Sequence, residues 1–241
     1  MLEPDILAPL IRRWERRCPL TDADRAAITA LPATRRTFAR EAYVVREGEA
    51  TAECGLLLSG FAYRQKIVRG GSRQIISIHI PGEFVDLQNC LLGEADHNVQ
   101  ALSEAEVALI PKAALAELTN SHPAVGRAMW LDTLIDSSIF REWVVNVGRR
   151  DAKTRIAHLL CELALRLQAS GTAKERSCEF PLTQEQLGDA TGLTAVHTNR
   201  VLQSLRQAGL ISLTSRTLTV LDWSALKEVG EFNELYLHHA A

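Results

Sequence analysis

Long hydrophobic runs are missing from this sequence. No window holds the roughly 18 consecutive apolar residues that a membrane-spanning helix needs, because charged residues interrupt every candidate. The first residues also lack the order of a secretory signal, a positive segment followed by an apolar one, since four arginines stand there among scattered apolar residues. We therefore expect a cytoplasmic protein with no membrane partner.

Cysteine is sparse, and its spacing excludes several site types. The count of five is odd, and no C-x-x-C pair occurs among Cys18, Cys54, Cys90, Cys161 and Cys178. This pattern disfavours a disulfide framework and a closed zinc site. An iron–sulfur cluster needs about four thiolates, and Cys18 stands alone near the N-terminus. An inert buried thiol is the default for Cys54, Cys90 and Cys161, and sensing of oxidation is the alternative.

A strong charge imbalance is also absent. The sequence has 27 basic and 29 acidic residues, a formal net charge of -2, so composition alone does not point to a nucleic-acid partner. The chain has 241 residues, of which 46% are hydrophobic and 23% charged. These values indicate a folded protein with a sizeable core and exclude disorder as the main state.

Residues 38–110 have the texture of a β-rich domain. Short apolar runs are separated there by glycine and proline, namely YVV, CGLLLSG, QIISIHI and EVALI. Many short strands with turns between them predict a β-roll or barrel. Residues 2–30 predict one or two short helices, the second capped by Thr21 and Asp22.

One long helix is predicted from about Pro123 to Val147. Its apolar residues cover more than the single stripe of a surface helix, so it must be buried on two sides. One side can lie on the β-roll, and the other, which includes Leu131 and Ile135, is free for a second helix. We therefore expect a homodimer formed through this helix. Burial of both sides within a monomer is the alternative.

The sequence pattern divides the chain into three parts. These are an N-terminal sensor domain over 1–122, the dimerisation helix over 123–147 and a C-terminal domain over 148–241. Gly148 with Arg149 and Arg150 marks a hinge or a domain boundary after the long helix, and a second amphipathic helix is predicted from about Asp151 to Ala169.

The stretch PLTQEQLGDATGLTAVHTNRVLQSLRQAGLISL, residues 181–213, carries the functional signal. Thr183 with Gln186 three residues later is a capping-box pattern that starts a helix. The chain turns at Gly192 and restarts a helix with Thr194 as its cap. Two helices joined by a short glycine-containing turn form a helix-turn-helix unit. The runs LISL and TLTVLD that follow predict two short strands, the wing of a winged helix.

The second of these helices presents a polar outward face formed by Val196, Asn199, Arg200 and Gln203. Arginine can pair with guanine O6 and N7, and asparagine with adenine N6 and N7. We therefore predict that this helix reads double-stranded DNA in the major groove. An ordinary helical hairpin with a solvated polar face is the alternative.

Over nearly its whole length the chain resembles the Crp/Fnr family of bacterial transcription regulators. The matching segments are REGE, LLLSGFAYRQK, GGSRQIISIHIPGEFVDL, the long helix, GRRDAKTRIAHLL and LTQEQLGDATGLTAVHTNRVLQSLRQAGLI, of which the last is the most specific. The resemblance implies an α+β fold: a cyclic-nucleotide-binding-like β-roll (a double-stranded β-helix), a long dimerisation helix and a C-terminal winged helix-turn-helix. It implies a homodimeric regulator without catalytic residues that reads a palindromic operator, with RNA polymerase as a further partner.

The resemblance also assigns roles to residues of the helix-turn-helix. It places Val196, Asn199 and Arg200 at base edges, and Thr183, Thr194 and His197 at backbone phosphates. Many members have Glu where this chain has Val196, and valine cannot accept a hydrogen bond from cytosine N4 but can contact a thymine methyl. The family's usual half-site is therefore not expected. For His197 a solvated side chain without DNA contact is the alternative.

Family members that bind cyclic AMP carry Gly-Glu and, further along, Arg-Ser, which together hold the phosphodiester and the ribose. This chain keeps Gly82 and Glu83 but reads EADHNVQA over the later stretch, where Asp96 would repel a phosphate. Cyclic AMP is therefore disfavoured, and we expect Glu83 to bond local backbone. Gly82, Glu83 and His97 remain the candidate residues of a pocket for an unidentified effector.

Two other function classes stay open. A cupin-like metalloenzyme could hold a metal with His79, His97 and Glu83, but such sites usually present two histidines one residue apart on a strand, a pattern missing here. The two histidines are also candidate haem ligands, although a lone strand histidine is more often packed or hydrogen-bonded. A ligand-binding adaptor that never contacts DNA is the other class. We expect neither a metal nor a cofactor.

Overall fold

The computed structural model describes residues 6–173 and 176–238. These residues form two compact units. Unit 1 comprises the described residues up to Gln65, Ile78–Ser137 and His238, and unit 2 comprises Lys66–Ser77 and the described part of Ser138–Leu237. No helix in the described ranges is long and apolar enough to cross a membrane. The sequence-based division at residues 122 and 147 remains a prediction.

Two β-sheets form the roll that the sequence predicted, and they enclose an apolar interior that includes Phe38, Leu57, Val99 and Val107. One sheet has the strand order β1-β7-β3 and the other the order β2-β6-β4-β5. The strands are β1 Thr34–Phe38, β2 Tyr43–Val45, β3 Glu53–Ser59, β4 Ala62–Ile67, β5 Arg73–His79, β6 Asn98–Ala101 and β7 Ala105–Pro111. The antiparallel register places Leu56 opposite Ala108.

Helices cover the three-stranded sheet of unit 1 and create a second apolar cluster, in which Leu10, Trp14 and Leu115 pack with Leu56 and Ile110. The predicted cap of the second helix is confirmed, because Thr21 forms a capping box with Asp24, whereas Asp22 is the first helical residue. These helices are α1 Ala8–Glu15, α2 Asp22–Thr29, α3 Lys112–Ser121 and the start of α4 Pro123–Arg149.

Helix α4 is the predicted long helix, and it extends two residues beyond the expected end. Gly148 therefore lies inside the helix and does not break it, and the break predicted at Gly148 with Arg149 and Arg150 comes only after Arg149. The break comes where Asp151 caps the next helix by accepting hydrogen bonds from the amides of Lys153 and Thr154, both at 2.9 Å. These two bonds lower the pKa of the Asp151 carboxyl, the Thr154 amide contributing most.

The sequence-based expectation that Leu131 and Ile135 of α4 are free for a second helix is wrong. Ile135 is only 7% exposed, and Leu131 packs against the apolar cluster of unit 1, so neither lies on a free face. The exposed large apolar side chains of α4 are Trp130, Leu134, Val144 and Val145. Periodicity had shown two apolar sides, and it could not tell which of them the chain's own core covers.

Unit 2 contains a helix-turn-helix followed by a small sheet of strand order β8-β10-β9. Helix α5, Ala152–Ser170, is buried along most of its length, and it is the amphipathic helix that the sequence predicted after α4. The elements after α4 are α5 Ala152–Ser170, β8 Ser177–Glu179, α6 Gln184–Thr191, α7 Ala195–Gln207, β9 Ile211–Thr214, β10 Thr217–Val220, α8 Trp223–Val229 and a 3-10 helix Glu234–Leu237.

Candidate nucleic-acid interface

Helix α6 begins with the capping box that the sequence predicted. The Gln186 amide donates to the Thr183 hydroxyl oxygen at 3.1 Å, and the Thr183 amide donates to the Gln186 side-chain oxygen at 3.0 Å. These reciprocal bonds satisfy amides that have no partner inside the helix. The start of the first helix is therefore fixed by residues three positions apart.

The turn between α6 and α7 depends on two glycines. Gly192 ends α6 with a φ of 69°, a left-handed conformation that suits glycine. Gly188 has no room for a side chain, since a Cβ there would lie 2.5 Å from the Leu193 carbonyl oxygen. The Arg155 guanidinium of α5 donates to the Thr191 carbonyl at 3.1 Å. Gly188 therefore allows α6 to lie close to the turn before α7, and Arg155 ties α5 to the end of α6.

Helix α7 presents the predicted outward face. Val196 is 65% exposed, and Arg200 and Gln203 are also exposed, whereas Val201, Leu202 and Leu205 are buried. Thr194 caps the helix by accepting a hydrogen bond from the His197 amide at 3.3 Å. The N-terminal half of α7 thus exposes the side chains that we assigned to base reading, apart from Asn199.

Asn199 has a partner within the protein. Its side-chain amide donates to the Gln184 side-chain oxygen of α6 at 2.9 Å, and the residue is half-buried. Both partners are polar and lie at the outer side of the helix pair, so this hydrogen bond orients the Asn199 amide relative to the start of α6. The second N–H and the side-chain oxygen of Asn199 remain available for an adenine edge.

A shallow groove on α7 brings several of the predicted residues together. It is lined by Lys153, Thr194, Val196, His197, Arg200, Val201 and Ser204. Thr183 and Asn199 do not line it. Lys153 was missed by the sequence reasoning, because nothing local reveals that the start of α5 lies beside the start of α7. Its ammonium adds a positive charge next to Arg200, which favours a phosphate ligand.

The two residues proposed to contact phosphate at the helix starts also have structural roles. The hydroxyl oxygens of Thr183 and Thr194 accept backbone hydrogen bonds as helix caps. Both residues are exposed, and each hydroxyl still has a proton to donate. Replacement of either by alanine removes a cap, which costs about 0.5–2 kcal/mol of stability irrespective of DNA.

The wing is a hairpin formed by β9 and β10, with Leu218 opposite Leu213. Its turn is formed by Ser215 and Arg216, with φ values of 49° and 60°. Two positive φ angles in a two-residue turn match the twist of antiparallel strands. This confirms the wing that the sequence predicted after the second helix.

A buried polar network lies beneath the helix-turn-helix, on the inner side of α5. The fully buried Glu162 carboxylate accepts hydrogen bonds from Trp143 Nε1 at 3.1 Å, Arg166 Nη1 at 2.9 Å and the Tyr236 hydroxyl at 2.8 Å. Burial raises the pKa of this carboxyl, and Arg166 opposes the shift. Sequence reasoning did not find this network, since its members are up to 93 residues apart in the chain.

His158 extends the same network. Its ring contacts the Gly230 carbonyl oxygen at 3.0 Å through Nδ1 and the Tyr236 hydroxyl at 3.1 Å through Nε2. Burial is the main cause that lowers the pKa of His158 to about 4, and the charge of Arg150 acts in the same direction. The imidazole is therefore neutral at pH 7 and serves to hold the segment after α8 against α5.

The candidate effector residues of unit 1 are engaged in local contacts. Glu83 is buried, and it accepts hydrogen bonds from the Ile80 amide and from Arg13 Nη1, both at 3.2 Å. The expected bond between Glu83 and local backbone is therefore present. Gly82 has a φ of 88°, and its amide donates to the Leu57 carbonyl at 2.8 Å.

His97 is buried, and its hydrogen-bond partners differ from those of Gly82 and Glu83. Its Nδ1 lies 2.6 Å from the Asp96 carboxylate, and its Nε2 lies 3.2 Å from the Gln88 side-chain nitrogen. His79 Nδ1 lies 3.8 Å from a Glu83 oxygen. Among the described residues, no group of three His, Cys, Asp or Glu side chains is placed to hold a metal ion. The arrangement required for the cupin-like alternative is not formed by these residues.

Two family models match separate parts of the chain. A family model described as a Crp-like helix-turn-helix domain matches residues 154–229. A second model, described as a cyclic nucleotide-binding domain, matches residues 35–122. The first match contains α6 and α7, and the second contains all seven strands of the roll except the start of β1.

Two regulators and one solved structure match most of the chain. The chain is 25% identical over 223 residues to the nitrogen fixation regulation protein FixK of Azorhizobium caulinodans, covering 90% of this chain and 89% of that protein. It is 25% identical over 215 residues to the transcriptional activator protein FnrL of Cereibacter sphaeroides, covering 88% and 86%. The solved structure of FixK2 from Bradyrhizobium japonicum superposes with a TM-score of 0.76 at 22% identity, covering 83% of this chain and 98% of that one.

Proposed function

The chain belongs to the Crp/Fnr family of transcription regulators, and from this premise we propose that it binds a palindromic DNA operator as a homodimer through helix α7. Val196, Asn199 and Arg200 contact base edges, while Thr183, Thr194, His197 and Lys153 contact phosphates. One observation carries this proposal: Thr194, Val196, His197 and Arg200 line a single groove on the exposed N-terminal half of α7.

The chemistry of that groove fits the major groove of DNA. The guanidinium of Arg200 can donate two hydrogen bonds to guanine O6 and N7, and Val196 offers an apolar surface for a thymine methyl. Lys153 and the caps of α6 and α7 surround these residues with donors for phosphate oxygens. Phosphate contacts release counterions, so DNA affinity falls steeply with salt although the net charge of the chain is -2.

Dimerisation follows from the exposed side of α4. Trp130 is 68% exposed and Leu134 is 49% exposed, and Val144 and Val145 add two more apolar side chains near the end of the same helix. The spacing of 130, 134 and 144 to 145 keeps these residues on one side of the helix. Pairing of this side with its copy in a second chain removes the apolar surface from water. These four residues replace Leu131 and Ile135 as our proposed contact.

Two-fold symmetry sets the form of the operator. Two copies of α7 related by the dimer axis enter successive major grooves about 34 Å apart, so the half-sites are inverted repeats about one helical turn apart. The experiment that tests this function is selection of bound fragments from random duplex DNA by the full-length protein, followed by sequencing. Recovery of an inverted repeat supports the proposal, and recovery of no enriched sequence would contradict it.

We propose further that the effector is not cyclic AMP and that the protein uses no metal, haem or iron–sulfur cluster. The Glu83 carboxylate is engaged by Arg13 and by the Ile80 amide. The stretch matching the family's Arg-Ser pair carries Asp96 in place of a cation. At that stretch a phosphodiester would therefore meet the Asp96 carboxylate in place of the family's arginine.

The relatives named above include a transcriptional activator. We propose that the DNA-bound dimer acts on RNA polymerase at the promoter and has no enzymatic activity of its own. Bacterial promoters and RNA polymerase lie in the cytoplasm, which is where this function places the protein. In vitro transcription from a promoter that carries the selected operator, with and without the protein, tests this step.

A further inference from the structure

Two of the five cysteine side chains meet inside unit 1. The sulfur atoms of Cys54 and Cys90 lie 2.6 Å apart, about 0.6 Å beyond the roughly 2.0 Å of a disulfide bond. Cys54 lies on β3 and is fully buried, whereas Cys90 ends the 3-10 helix Leu87–Cys90 and is half-buried. The two residues are 36 positions apart in the sequence, so this is a contact of the tertiary structure.

The surroundings of the two thiols make them chemically different. The hydrogen bond between the two thiols lowers the pKa of Cys90, and the charge of Lys112 acts in the same direction, while burial and the charge of Asp86 oppose this shift. The same hydrogen bond, burial and the carboxylate of Asp86 raise the pKa of Cys54. Cys90 is the thiol of the pair that solvent reaches, whereas Cys54 is fully buried, so an oxidant in solution meets Cys90 first.

The remaining cysteines have the properties of inert thiols. Burial raises the pKa of Cys161 to about 12 and that of Cys178 to about 11. Cys18 is buried and contacts the Pro19 carbonyl oxygen.

We propose that Cys54 and Cys90 form a peroxide-sensitive dithiol site, with Cys90 as the attacking thiol and Cys54 as the resolving thiol. This inference is independent of the proposed function. It concerns a modification site in unit 1, and it does not require an effector or a DNA contact.

The reaction balances with hydrogen peroxide as the oxidant. The Cys90 thiolate attacks one peroxide oxygen, an S–O bond forms as the O–O bond breaks, and the released hydroxide takes up a proton to give water. The Cys54 sulfur then attacks the sulfenic sulfur of Cys90, the S–O bond breaks, and the Cys54 proton leaves with the hydroxide as a second water. The two thiols lose two electrons in total, and a dithiol reductant restores them.

The test is a thiol map of the full-length protein. Reduced protein is treated with hydrogen peroxide, free thiols are alkylated after denaturation, and the non-reduced digest is analysed by mass spectrometry. We expect one cross-linked peptide pair that joins Cys54 to Cys90 within a single chain and disappears with dithiothreitol, while Cys161 and Cys178 remain fully alkylated. Full alkylation of Cys54 and Cys90, or a cross-link of Cys90 to any other cysteine or chain, would overturn the proposal.

Variants separate the two roles. Cys54→Ala is expected to leave a Cys90 sulfenic acid that dimedone traps, and Cys90→Ser is expected to abolish oxidation of Cys54. Cys178→Ser is the matched control and is expected to leave the cross-link unchanged. Dimedone labelling of Cys54 in Cys90→Ser would contradict the assigned order of attack. If Cys54→Ala fails to fold, the wild-type thiol map and Cys90→Ser decide the question.

Discussion

The Nη1 of Arg13 donates a hydrogen bond to the Oε1 of Glu83 across 3.2 Å, joining the N-terminal helix α1 to the turn after β5. The same arginine uses its Nε to contact the Asp132 carboxylate at 3.1 Å, and Trp14 donates to that carboxylate at 2.8 Å. The acidic residue that would accept a ribose hydroxyl therefore already has a cationic partner from the same chain.

This arrangement leads to a prediction about cyclic AMP. We expect isothermal titration of the wild-type protein to give no binding heat, because Glu83 is engaged and Asp96 stands where a cation is needed. The control is Arg13→Ala, in which the Glu83 carboxylate loses its guanidinium partner. This variant should also fail to bind cyclic AMP, because the substitution places no cation where Asp96 stands. A micromolar dissociation constant, about -8 kcal/mol, for the wild type would contradict the proposal.

The second prediction concerns the dimer. Trp130→Glu combined with Leu134→Glu is expected to shift the protein from dimer to monomer in light scattering, because two charges would be buried without partners in the apolar contact. Leu235 is 76% exposed and lies off α4, so Leu235→Glu should remain dimeric. A wild-type protein that is already monomeric would refute the proposed contact.

The third prediction concerns base reading. Arg200→Ala is expected to weaken operator binding by roughly 1–3 kcal/mol per half-site and to relax the preference at one symmetric base pair, since the bidentate contact to guanine is lost. Arg206 is exposed at the other end of α7, so Arg206→Ala removes the same charge and should keep every base preference. Binding titrations on a base-substitution series measure both. Unchanged preferences in Arg200→Ala would show that another residue reads the base.

The fourth prediction concerns stability and pH. The pKa of His158 is about 4 in the folded chain and about 6.5 when unfolded, so the unfolded state binds the proton more strongly. The free energy of unfolding should therefore fall as pH drops from 6.5 towards 4, by up to about 1.4 kcal/mol per pH unit. Denaturant titrations across this range should show a flatter dependence in His158→Gln. Equal slopes for the two proteins would argue against a buried neutral His158.

The fifth prediction concerns the tight turn of the helix-turn-helix. Gly188→Ala places a Cβ about 2.5 Å from the Leu193 carbonyl oxygen, so it should destabilise the fold by about 1–3 kcal/mol. Nothing lies within 4 Å of a Cβ built on Gly93, so Gly93→Ala is the control and should change stability little. Thermal unfolding followed by circular dichroism compares the two. An equal melting temperature for both variants would mean that α6 can move away from the Leu193 carbonyl at little cost in stability.

The sequence by itself determined the parts of the molecule whose hydrogen bonds are local. The caps at Thr183 and Thr194 involve residues three positions away, and the turn at Gly192 and the wing follow equally local rules. Strands with apolar runs were also predictable. Strand β1, TRRTF, was not predicted, because four of its five residues are exposed and its pairing with β7 comes from distant residues.

Only the tertiary structure decided which side of α4 faces the core, which side chain binds the Glu83 carboxylate and which thiols are in contact. Periodicity defines the sides of a helix, but the choice between Leu131 and Trp130 as the exposed residue depends on α1 and the sheet packing on one side. The Arg13–Glu83 and Cys54–Cys90 contacts join residues 70 and 36 positions apart. Contacts of that span form only when distant segments of unit 1 fold against each other, so no local pattern in the sequence encodes them.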